Sequence, residues 1–417
     1  MRQATDGLVR LTEEEGAIRA GAKGEAARSA LESQIAVGEF FGARRLVEVG
    51  NAHVMGDWDI MGEAGRAHLQ QLVAGGGRVA VPTTRNPGPV DFAYARRLRQ
   101  SPELVRGERS IRALLSQLGI ELVDTCVGYQ TMPAPELGEH VAWGDTGAAI
   151  YANAVLGART NFESGPAALA AALTGRTPAY GFHLDEQRAA TVRCRIDANL
   201  SDHAHWGALG AVIGSRLEDY WAVPLLEGLP PAPSTDALKH LAASLASYGS
   251  LAMFHIPGVT PEAAELGAGV TAELTIGDGD LHEAFTAGAA PGDPVDLVVF
   301  TAPQLSLAEL ERLGAALDGR RVRPGVTLLA TTSPATRAAA AHSGSVKAIE
   351  TAGGLVLQGT CWYLMAPGAM RAAFGWRGLV TNSAKLANII KAHGYEVTLR
   401  TTEACIEAAI SGRVPPL

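Results

Sequence analysis

The chain has 417 residues, of which 47% are hydrophobic and 19% charged, with 35 Lys and Arg against 43 Asp and Glu. This much apolar material with little net charge per residue excludes a disordered chain and supports a large buried core. The formal net charge of −8 argues against nucleic-acid binding through a basic surface. We therefore expect small molecules or other proteins as partners.

Two further features indicate the compartment. No stretch of 18 apolar residues exists, and the polar, acidic start lacks the apolar core of a signal peptide. We therefore expect a cytoplasmic protein without a membrane segment. Four cysteines are too few for a disulfide framework, so a functional cysteine would be a nucleophile, a redox group or a metal ligand.

The first 125 residues alternate helix, strand and polar loop, which is typical of a parallel α/β fold. Thr12 and Glu15 have the spacing of a capping box at a helix start. We define 1–125 as an N-terminal α/β segment. The predicted elements are a helix from Thr12 through Ala43, a strand at 45–49, a helix at 62–74, a strand at 78–81, a helix at 103–118 and a strand at 121–123.

Residues 126–236 form a central region that is rich in Gly, Ala and Pro. A polar patch at 157–161 separates two helices of small residues. The Pro-rich stretch 225–236 is predicted to be a linker, and residues 237–291 form an insertion without a readable pattern. The two small-residue helices are predicted at 148–156 and 166–173.

Residues 292–417 show the clearest alternation of strands and helices, which predicts a doubly wound domain. Ligands of such domains bind at the carboxyl ends of the strands, where Cys361, Asn382 and Ser383 fall. The predicted fold is α/β, with several doubly wound lobes around a central cleft. The strands of the last domain are predicted at 297–300, 326–329, 354–357, 378–380 and 396–399.

The cysteines fall into two groups. Cys126 and Cys361 each follow a predicted strand and a threonine, so both lie on strand-end loops. Two such thiols from separate strands can bind iron or zinc, although coincidence explains their positions equally well. Cys405 lies on a helix among small residues and Cys194 alternates like a strand residue, so plain packing is the simpler interpretation for these two.

Polar residues near the strand ends indicate an anionic substrate. Arg159 and Asn161 follow the first small-residue helix, and Lys385 lies at a helix start. Arginine and helix N-termini both favour carboxylate or phosphate, while capping and surface solvation are the alternative roles. His203 and His205 would form a metal pair only within a strand, and a solvated loop is the favoured interpretation.

Residues 138–186 resemble the signature stretch of the aconitase X family, in its large-subunit type. The similarity extends from about residue 11 to the C-terminus and is strong between 126 and 186. Four shorter stretches agree with it: Asn51-Ala52-His53, Pro82-Thr83-Thr84-Arg85-Asn86-Pro87, Gly359-Thr360-Cys361 and Thr381-Asn382-Ser383-Ala384-Lys385.

The resemblance implies an aconitase-like fold and hydro-lyase activity, such as the dehydration of cis-3-hydroxy-L-proline or mevalonate 5-phosphate. It also implies an iron–sulfur cluster, or a single iron, that cysteines hold as a Lewis acid. The catalytic base of the superfamily is a serine on a small domain that nothing in this chain resembles. We therefore expect a separate aconitase-like small subunit, and cis-3-hydroxy-L-proline as the first carboxylate substrate to test.

Residue by residue, the resemblance makes Cys126 and Cys361 iron ligands, and it adds Cys405 from the closing Glu-x-Cys segment as a third. Lys385 and Ser383 are the expected catalytic residues. The expected substrate-binding residues are Arg159, Asn161, Asn153, Thr160, Thr84, His53 and His183.

Two stretches depart from the family pattern. Residues 143–147 read Trp-Gly-Asp-Thr-Gly where Trp-Ser-Glu-Ser-Ser is usual, and residues 159–164 read Arg-Thr-Asn-Phe-Glu-Ser instead of Arg-Thr-Asn-Arg-Glu-Gly. The lost arginine disfavours a phosphorylated substrate, with neutral drift as the alternative. Two rival functions stay open: an isomerase or cyclase of specialised metabolism on the same scaffold, and a non-catalytic iron-binding module.

Overall fold

The structure, a computed structural model, describes residues 9–263 and 270–417. In this described part the strands form three parallel sheets and one antiparallel pair, with helices packed around them. This architecture confirms the predicted α/β class. No helix in the same ranges combines the length and the apolar composition needed to cross a membrane.

The N-terminal part is built on a three-stranded parallel sheet. Its elements are α1 (Glu13–Arg19), α2 (Gly24–Phe41), β1 (Leu46–Glu48), β2 (Ala52–Val54), α3 (Trp58–Ala74), β3 (Thr83–Arg85), α4 (Pro102–Gln117), β4 (Ala142–Trp143), α5 (Thr146–Tyr151), α6 (Ser164–Thr174) and β5 (Arg176–Pro178). The sheet has the order β3-β2-β4, and β1 pairs with β5 in the antiparallel direction. A π-helical turn, Ala152–Leu156, continues α5.

The capping box at the first helix is confirmed. The Thr12 hydroxyl accepts a hydrogen bond from the Glu15 amide at 3.3 Å, and the Glu15 carboxylate accepts one from the Thr12 amide at 2.7 Å. The predicted continuous helix is interrupted between α1 and α2, where Gly21 adopts a φ of 95°. Glycine is the residue that enters this left-handed region without a steric penalty.

Two predicted N-terminal strands differ in the structure. Residues 78–81 form no strand, because the Ala80 amide donates to the carbonyl of Ala172 at the end of α6 rather than to a ladder. Residues 121–123 contribute a single bridge, between Glu121 and Thr84 of β3. The sheet also crosses the predicted boundary at 125/126, since β4 pairs with β2. Strands of two or three residues carry too little periodicity to be placed from the sequence.

The second part of the chain contains another three-stranded parallel sheet. Its elements are β6 (Val192–Asp197), α7 (His203–Leu217), β7 (Pro224–Glu227), α8 (Thr235–Gly249), β8 (Ala272–Gly277) and α9 (Asp278–Thr286). The sheet has the order β7-β6-β8, so the predicted boundary at 236/237 divides one structural unit inside α8. The predicted linker at 225–236 likewise contains most of β7.

The second sheet buries one of its faces against helices. Val192 and Cys194 are buried against α7 and α8, whereas Arg195 on the alternate face of β6 is exposed. The packing role predicted for Cys194 is therefore confirmed. Helices α7 and α8 pack very closely at two glycines. A Cβ atom at Gly249 would lie only 2.6 Å from the carbonyl oxygen of Gly214.

The C-terminal part confirms the predicted doubly wound domain. Its elements are β9 (Leu297–Leu305), α10 (Leu307–Leu317), β10 (Thr327–Thr332), α11 (Pro334–His342), α12 (Ser345–Ala352), β11 (Leu355–Gln358), α13 (Pro367–Phe374), β12 (Gly378–Thr381), α14 (Ala384–Ile389), β13 (Glu396–Leu399) and α15 (Thr402–Ser411). The five parallel strands have the order β11-β10-β9-β12-β13. Val298 and Leu297 of β9 belong to separate cores on opposite faces of this sheet.

A buried arginine fixes the loop that follows the first sheet. The Arg85 guanidinium, fully buried at the end of β3, donates to the Gly56 carbonyl at 2.7 Å and to Asp124 Oδ1 at 2.8 Å, and it pairs with Glu108. Asp124 in turn adopts a φ of 52° two residues before Cys126. This ion network therefore positions the segment that carries the first candidate thiol.

We expect Arg85→Met to destabilise the protein by about 3–5 kcal/mol, because Glu108 would stay buried without its counter-charge and Asp124 would keep only the partly exposed Arg112. Urea unfolding followed by circular dichroism measures this change. The control Arg66→Met removes a largely exposed pair with Glu63 and should leave the unfolding midpoint unchanged. Equal midpoints for the two variants would contradict the role of Arg85.

Candidate active site

The carboxyl ends of the first and last sheets meet each other. The Gly88 amide, after β3, donates to the Gly359 carbonyl at 3.0 Å, and the Cys361 amide donates back to the Gly88 carbonyl at 3.3 Å. This pairing brings the loop after β11 against the loops of the first sheet. Cys126 and Cys361, predicted from separate strand ends, therefore lie at one place in the fold, where α/β proteins bind their ligands.

One side chain that the sequence reasoning missed joins these loops. The Gln304 amide nitrogen Nε2 lies 3.1–3.2 Å from three carbonyl oxygens, and the Gln304 backbone amide donates to Cys126 Sγ at 3.4 Å. Gln304 is almost completely buried. A glutamine inside the otherwise apolar β9 was the available sequence signal. The three carbonyls belong to Asp124, Thr332 and Thr360.

Both thiols of this site are free and partly exposed. Burial among protein atoms, together with repulsion from Asp145 and Cys361, raises the pKa of Cys126 to about 12. Burial also raises the pKa of Cys361, although the backbone amide of Tyr363 partly offsets this effect. Without a bound cation, both groups are therefore protonated thiols near neutral pH, and a positive charge is needed to hold them as thiolates.

Lys385 supplies a positive charge beside the two thiols. Burial disfavours its charged form, but attraction to Asp145, Cys126 and Cys361 raises the pKa of the ammonium above its usual value. The ammonium lies close to the start of α5, since a Cβ atom at Gly147 would lie 3.5 Å from Nζ. The predicted candidate Lys385 is thus at the site.

Asp145 completes the charged group and was also missed. It follows β4 and caps α5, with Oδ1 accepting a hydrogen bond from the Ala148 amide at 2.9 Å. Its charge acts on Cys126, Cys361 and Lys385 alike. An aspartate between a strand and a helix of small residues was the signal that could have found it.

The predicted residues His53 and Thr84 lie on neighbouring strands at the same edge. His53 Nδ1 is 2.8 Å from Thr84 Oγ1, and His53 Nε2 is 3.1 Å from Asn86 Oδ1. Burial lowers the pKa of His53, against the opposing attraction to Asp145, so the imidazole is neutral. Both ring nitrogens of His53 are thus used within the protein, and two side chains hold the imidazole in one orientation.

Ser383 differs from its predicted catalytic role. Its hydroxyl donates to the Ala302 carbonyl at 2.6 Å and accepts from the Leu386 amide at 3.0 Å, as the cap of α14. The side chain is almost completely buried. Because both functions of the hydroxyl are used within the protein, Ser383 places Lys385 rather than contacting a substrate.

The predicted substrate-binding patch at 153–161 is also structural. Asn153 donates to the carbonyls of Thr160 and Ala252 at 2.8 and 2.9 Å, and Asn161 donates to the Tyr180 carbonyl at 3.1 Å. The Thr160 hydroxyl donates to its neighbour's carbonyl at 2.9 Å. Asn153, Thr160 and Asn161 are all buried, so their polarity satisfies the backbone instead of a ligand.

Two further predicted residues lie in a separate group. Arg159 pairs with the exposed Asp185 and donates to the His183 carbonyl at 3.2 Å. His183 Nδ1 is 2.9 Å from His140 Nδ1, and burial lowers the pKa of His140 to about 4. His183 Nε2 is 3.3 Å from Glu163 Oε1. The structure shows no contact between this group and the two thiols within the described ranges.

Cys405 does not join the other two candidate ligands. It is fully buried in the core on one face of the last sheet, where its thiol donates to the Arg400 carbonyl at 3.6 Å. Cys194 is buried in the second core. All four cysteines of the chain lie in the described ranges, so the site offers two thiols. A cluster that needs three protein thiolates from this chain does not fit this donor set.

Models of the aconitase X family match nearly the whole chain. The first domain matches residues 8–186, the second domain residues 190–286 and the third domain residues 295–411. The chain belongs to the aconitase X family. The predicted boundaries at 125/126 and 236/237 fall inside the first two family domains, while the predicted start at 292 lies close to the third.

Relatives within the aconitase X family match over most of their length. The phosphomevalonate dehydratase large subunit of Thermococcus kodakarensis is 34% identical, with 96% of this chain and 99% of that protein covered. The cis-3-hydroxy-L-proline dehydratase of Pseudomonas aeruginosa is also 34% identical, with 99% of this chain and 72% of that protein covered. A crystal structure of Thermococcus kodakaraensis aconitase X, described as its holo-form, has a TM-score of 0.88 at 33% identity and covers 96% of this chain and 100% of that one. The predicted family and its aconitase-like fold are thereby confirmed.

We expect Cys126 in metal-stripped protein to react slowly with iodoacetamide at neutral pH, because the thiolate is the reactive form. With a pKa of about 12, the rate should rise about tenfold per pH unit from pH 7 to 10 without a plateau. Mass spectrometry of tryptic peptides measures the rate at each cysteine, and the buried Cys405 serves as the unreactive reference. A plateau below pH 9 would show that the thiol is not in this environment.

Proposed function

We propose that this chain is the large subunit of a dehydratase that removes water from a small hydroxy-carboxylate, with cis-3-hydroxy-L-proline as the first candidate. The dehydratase names of its relatives support a hydro-lyase of the aconitase superfamily. One observation carries the proposal: the Lys385 ammonium stands beside two thiols where two parallel sheets meet. This place can hold a carboxylate next to a reacting C–O bond.

The charge of the site favours a substrate with one anionic group. Lys385 is the candidate cation, whereas Arg85 is committed to Glu108 and Asp124 and Arg159 to Asp185. A single ammonium matches a single carboxylate better than a carboxylate together with a phosphate. This supports cis-3-hydroxy-L-proline over a phosphorylated substrate.

Mevalonate 5-phosphate is the second candidate, and chain length favours it. The chain spans 99% of the phosphomevalonate dehydratase large subunit from Thermococcus kodakarensis, but 72% of the cis-3-hydroxy-L-proline dehydratase from Pseudomonas aeruginosa. The relatives that are named large subunits support a separate small subunit as partner. On this proposal the small subunit supplies the base that removes the proton from carbon.

Iron is the proposed cofactor, and the donor set limits its form. Cys126 and Cys361 would hold a single iron ion, whereas an iron–sulfur cluster with three thiolates of this chain lacks its third ligand. When bound, iron supplies a Lewis acid that weakens the C–O bond. A cytoplasmic location stays a prediction from the composition.

Residues of this chain bind the substrate and hold the site together. Lys385 binds and orients the substrate carboxylate, and the buried His53 holds Thr84 and Asn86 in place at the same edge. Asp145, held at Oδ1 by the Ala148 amide, orients the departing hydroxyl by a hydrogen bond, and the hydroxyl leaves as water with the proton that the small subunit's base removes from carbon. Gln304 keeps the loops of both cysteines together and so preserves the geometry through turnover.

The proposal is tested by assaying the purified chain with and without its small subunit on both candidate substrates. Loss of water from cis-3-hydroxy-L-proline only in the presence of the small subunit is the expected result. Turnover of mevalonate 5-phosphate alone would select the second candidate. Full dehydratase activity of the isolated chain would overturn the assignment of the base, and isomerisation without loss of water would favour the rival enzyme.

We expect Lys385→Met to lower kcat/KM of the assembled enzyme at least tenfold, about 1.4 kcal/mol of barrier, because the carboxylate loses its cation. Steady-state kinetics measure this loss. Lys391→Met, on the exposed side of the same region, is the matched control and should keep full activity. A non-catalytic iron-binding module would tolerate both substitutions.

We expect Cys126→Ala and Cys361→Ala to lose iron, while Cys405→Ala keeps it, because Cys405 lies in a core away from the site. Anaerobic iron and sulfide analysis of the purified variants measures this difference. If the unmodified protein contained acid-labile sulfide in stoichiometric amount and a folded Cys405→Ala variant lost it, Cys405 would be the third thiolate ligand of an iron–sulfur cluster.

A further inference from the structure

Two histidines and a glutamate converge behind the candidate active site. His203 begins α7, His240 lies on α8, and Glu309 lies on α10, so the group joins the second and third parts of the chain. All three side chains are buried. His203 Nδ1 is 3.3 Å and His240 Nε2 is 2.8 Å from the same oxygen, Glu309 Oε1. His203 thus pairs with His240 of another helix and not with His205.

The spacing of these three atoms suits a metal ion. One ligand atom from each residue lies within 4.8 Å of the other two. Zinc bonds of about 2.0–2.1 Å at tetrahedral angles place ligand atoms about 3.3 Å apart, which matches the His203–Glu309 separation. The two imidazole rings are stacked with centroids 5.3 Å apart, and a nitrogen of each ring lies near Glu309 Oε1.

The two carboxylate oxygens of Glu309 have different neighbours: the imidazoles contact Oε1, and other groups bind Oε2. The Ser306 amide donates to Oε2 at 2.9 Å, and the Lys239 ammonium binds the same oxygen. Lys239 also lies 3.0 Å from Asp236 Oδ1, so the charge of the lysine is shared by two carboxylates. Hydrogen bonds of this kind orient the carboxylates that bind metals.

The charges of the group call for a cation. The Lys239 ammonium is shared by two buried carboxylates, Asp236 and Glu309, and Arg312, which also lines the site, is an exposed residue. An uncompensated charge among buried residues is costly.

A small cavity adjoins the three residues. Its volume is about 10 Å³, which is room for about one water molecule. A tetrahedral ion with three protein ligands needs one further ligand of this size. The cavity is lined by His203, His240 and Glu309, together with Arg312, Asn382 and Thr402.

We propose that His203, His240 and Glu309 bind a divalent zinc-class ion that joins the second and third domains. This site is separate from the two thiols and independent of the proposed function. Lys239 connects the two places, because its ammonium donates to the Gln304 carbonyl at 3.2 Å while the Gln304 amide donates to Cys126. An ion at this site stabilises the contacts of Lys239 and Gln304 that hold the Cys126 loop, and it does not contact a substrate.

The test uses Co²⁺ as the probe, in the full chain with Cys126→Ser and Cys361→Ser combined, so that the thiol site cannot contribute. Anaerobic titration should give one Co²⁺ per chain, with the intense d–d absorption of tetrahedral cobalt and no sulfur charge-transfer band. Zn²⁺ should displace it. His240→Ala in the same background should weaken Co²⁺ binding at least tenfold.

His282→Ala, on the exposed face of α9, is the matched control and should bind Co²⁺ unchanged. A second measurement guards against misfolding: Zn²⁺ should raise Tm of the double-serine protein and of His282→Ala, but not of His203→Gln. Octahedral or absent Co²⁺ binding in the double-serine protein would overturn the proposal, as would unchanged affinity in His240→Ala. Because no step depends on turnover, these results are independent of the dehydratase assays.

Discussion

The candidate site depends on one buried amide. Gln304 lies at the end of the central strand of the last sheet, and its side chain hydrogen-bonds three carbonyls from three separate segments. Two of those segments lead directly to Cys126 and Cys361. A buried amide without these partners is costly, so the segments are fixed relative to one another as soon as the domains pack. The proximity of the thiols is thus a product of tertiary hydrogen bonding.

The last domain was predictable because the residues that define each strand and helix lie close together in the sequence. Four of its five strands are followed by a helix with a side-chain cap, as at Ser333-Pro334, and buried parallel strands are recognisable as apolar runs in the sequence. The N-terminal sheet was not predictable to the same degree. Its strands are two or three residues long, and its order depends on pairing between β2 and β4, which lie about ninety residues apart.

The site was predictable in part. Cys126, Cys361 and Lys385 follow strand ends, and the carboxyl edge of a sheet gathers such residues. Asn153 and Asn161 look equally polar in the sequence, yet both are buried and used by the backbone. Cys405 shares the chemistry of Cys361 but lies on the core face of α15. Which way a side chain faces is decided by packing between distant elements, and a single sequence does not encode it locally.

The missing side chain at Gly147 has a consequence for the charged group beside it. A Cβ atom there would lie 3.5 Å from the lysine nitrogen and 3.3 Å from Asp145 Oδ1. A side chain longer than a methyl group would have to displace the ammonium or the carboxylate. The start of α5 therefore tolerates only the smallest residues at this position, and the distance between the two opposite charges depends on that smallness.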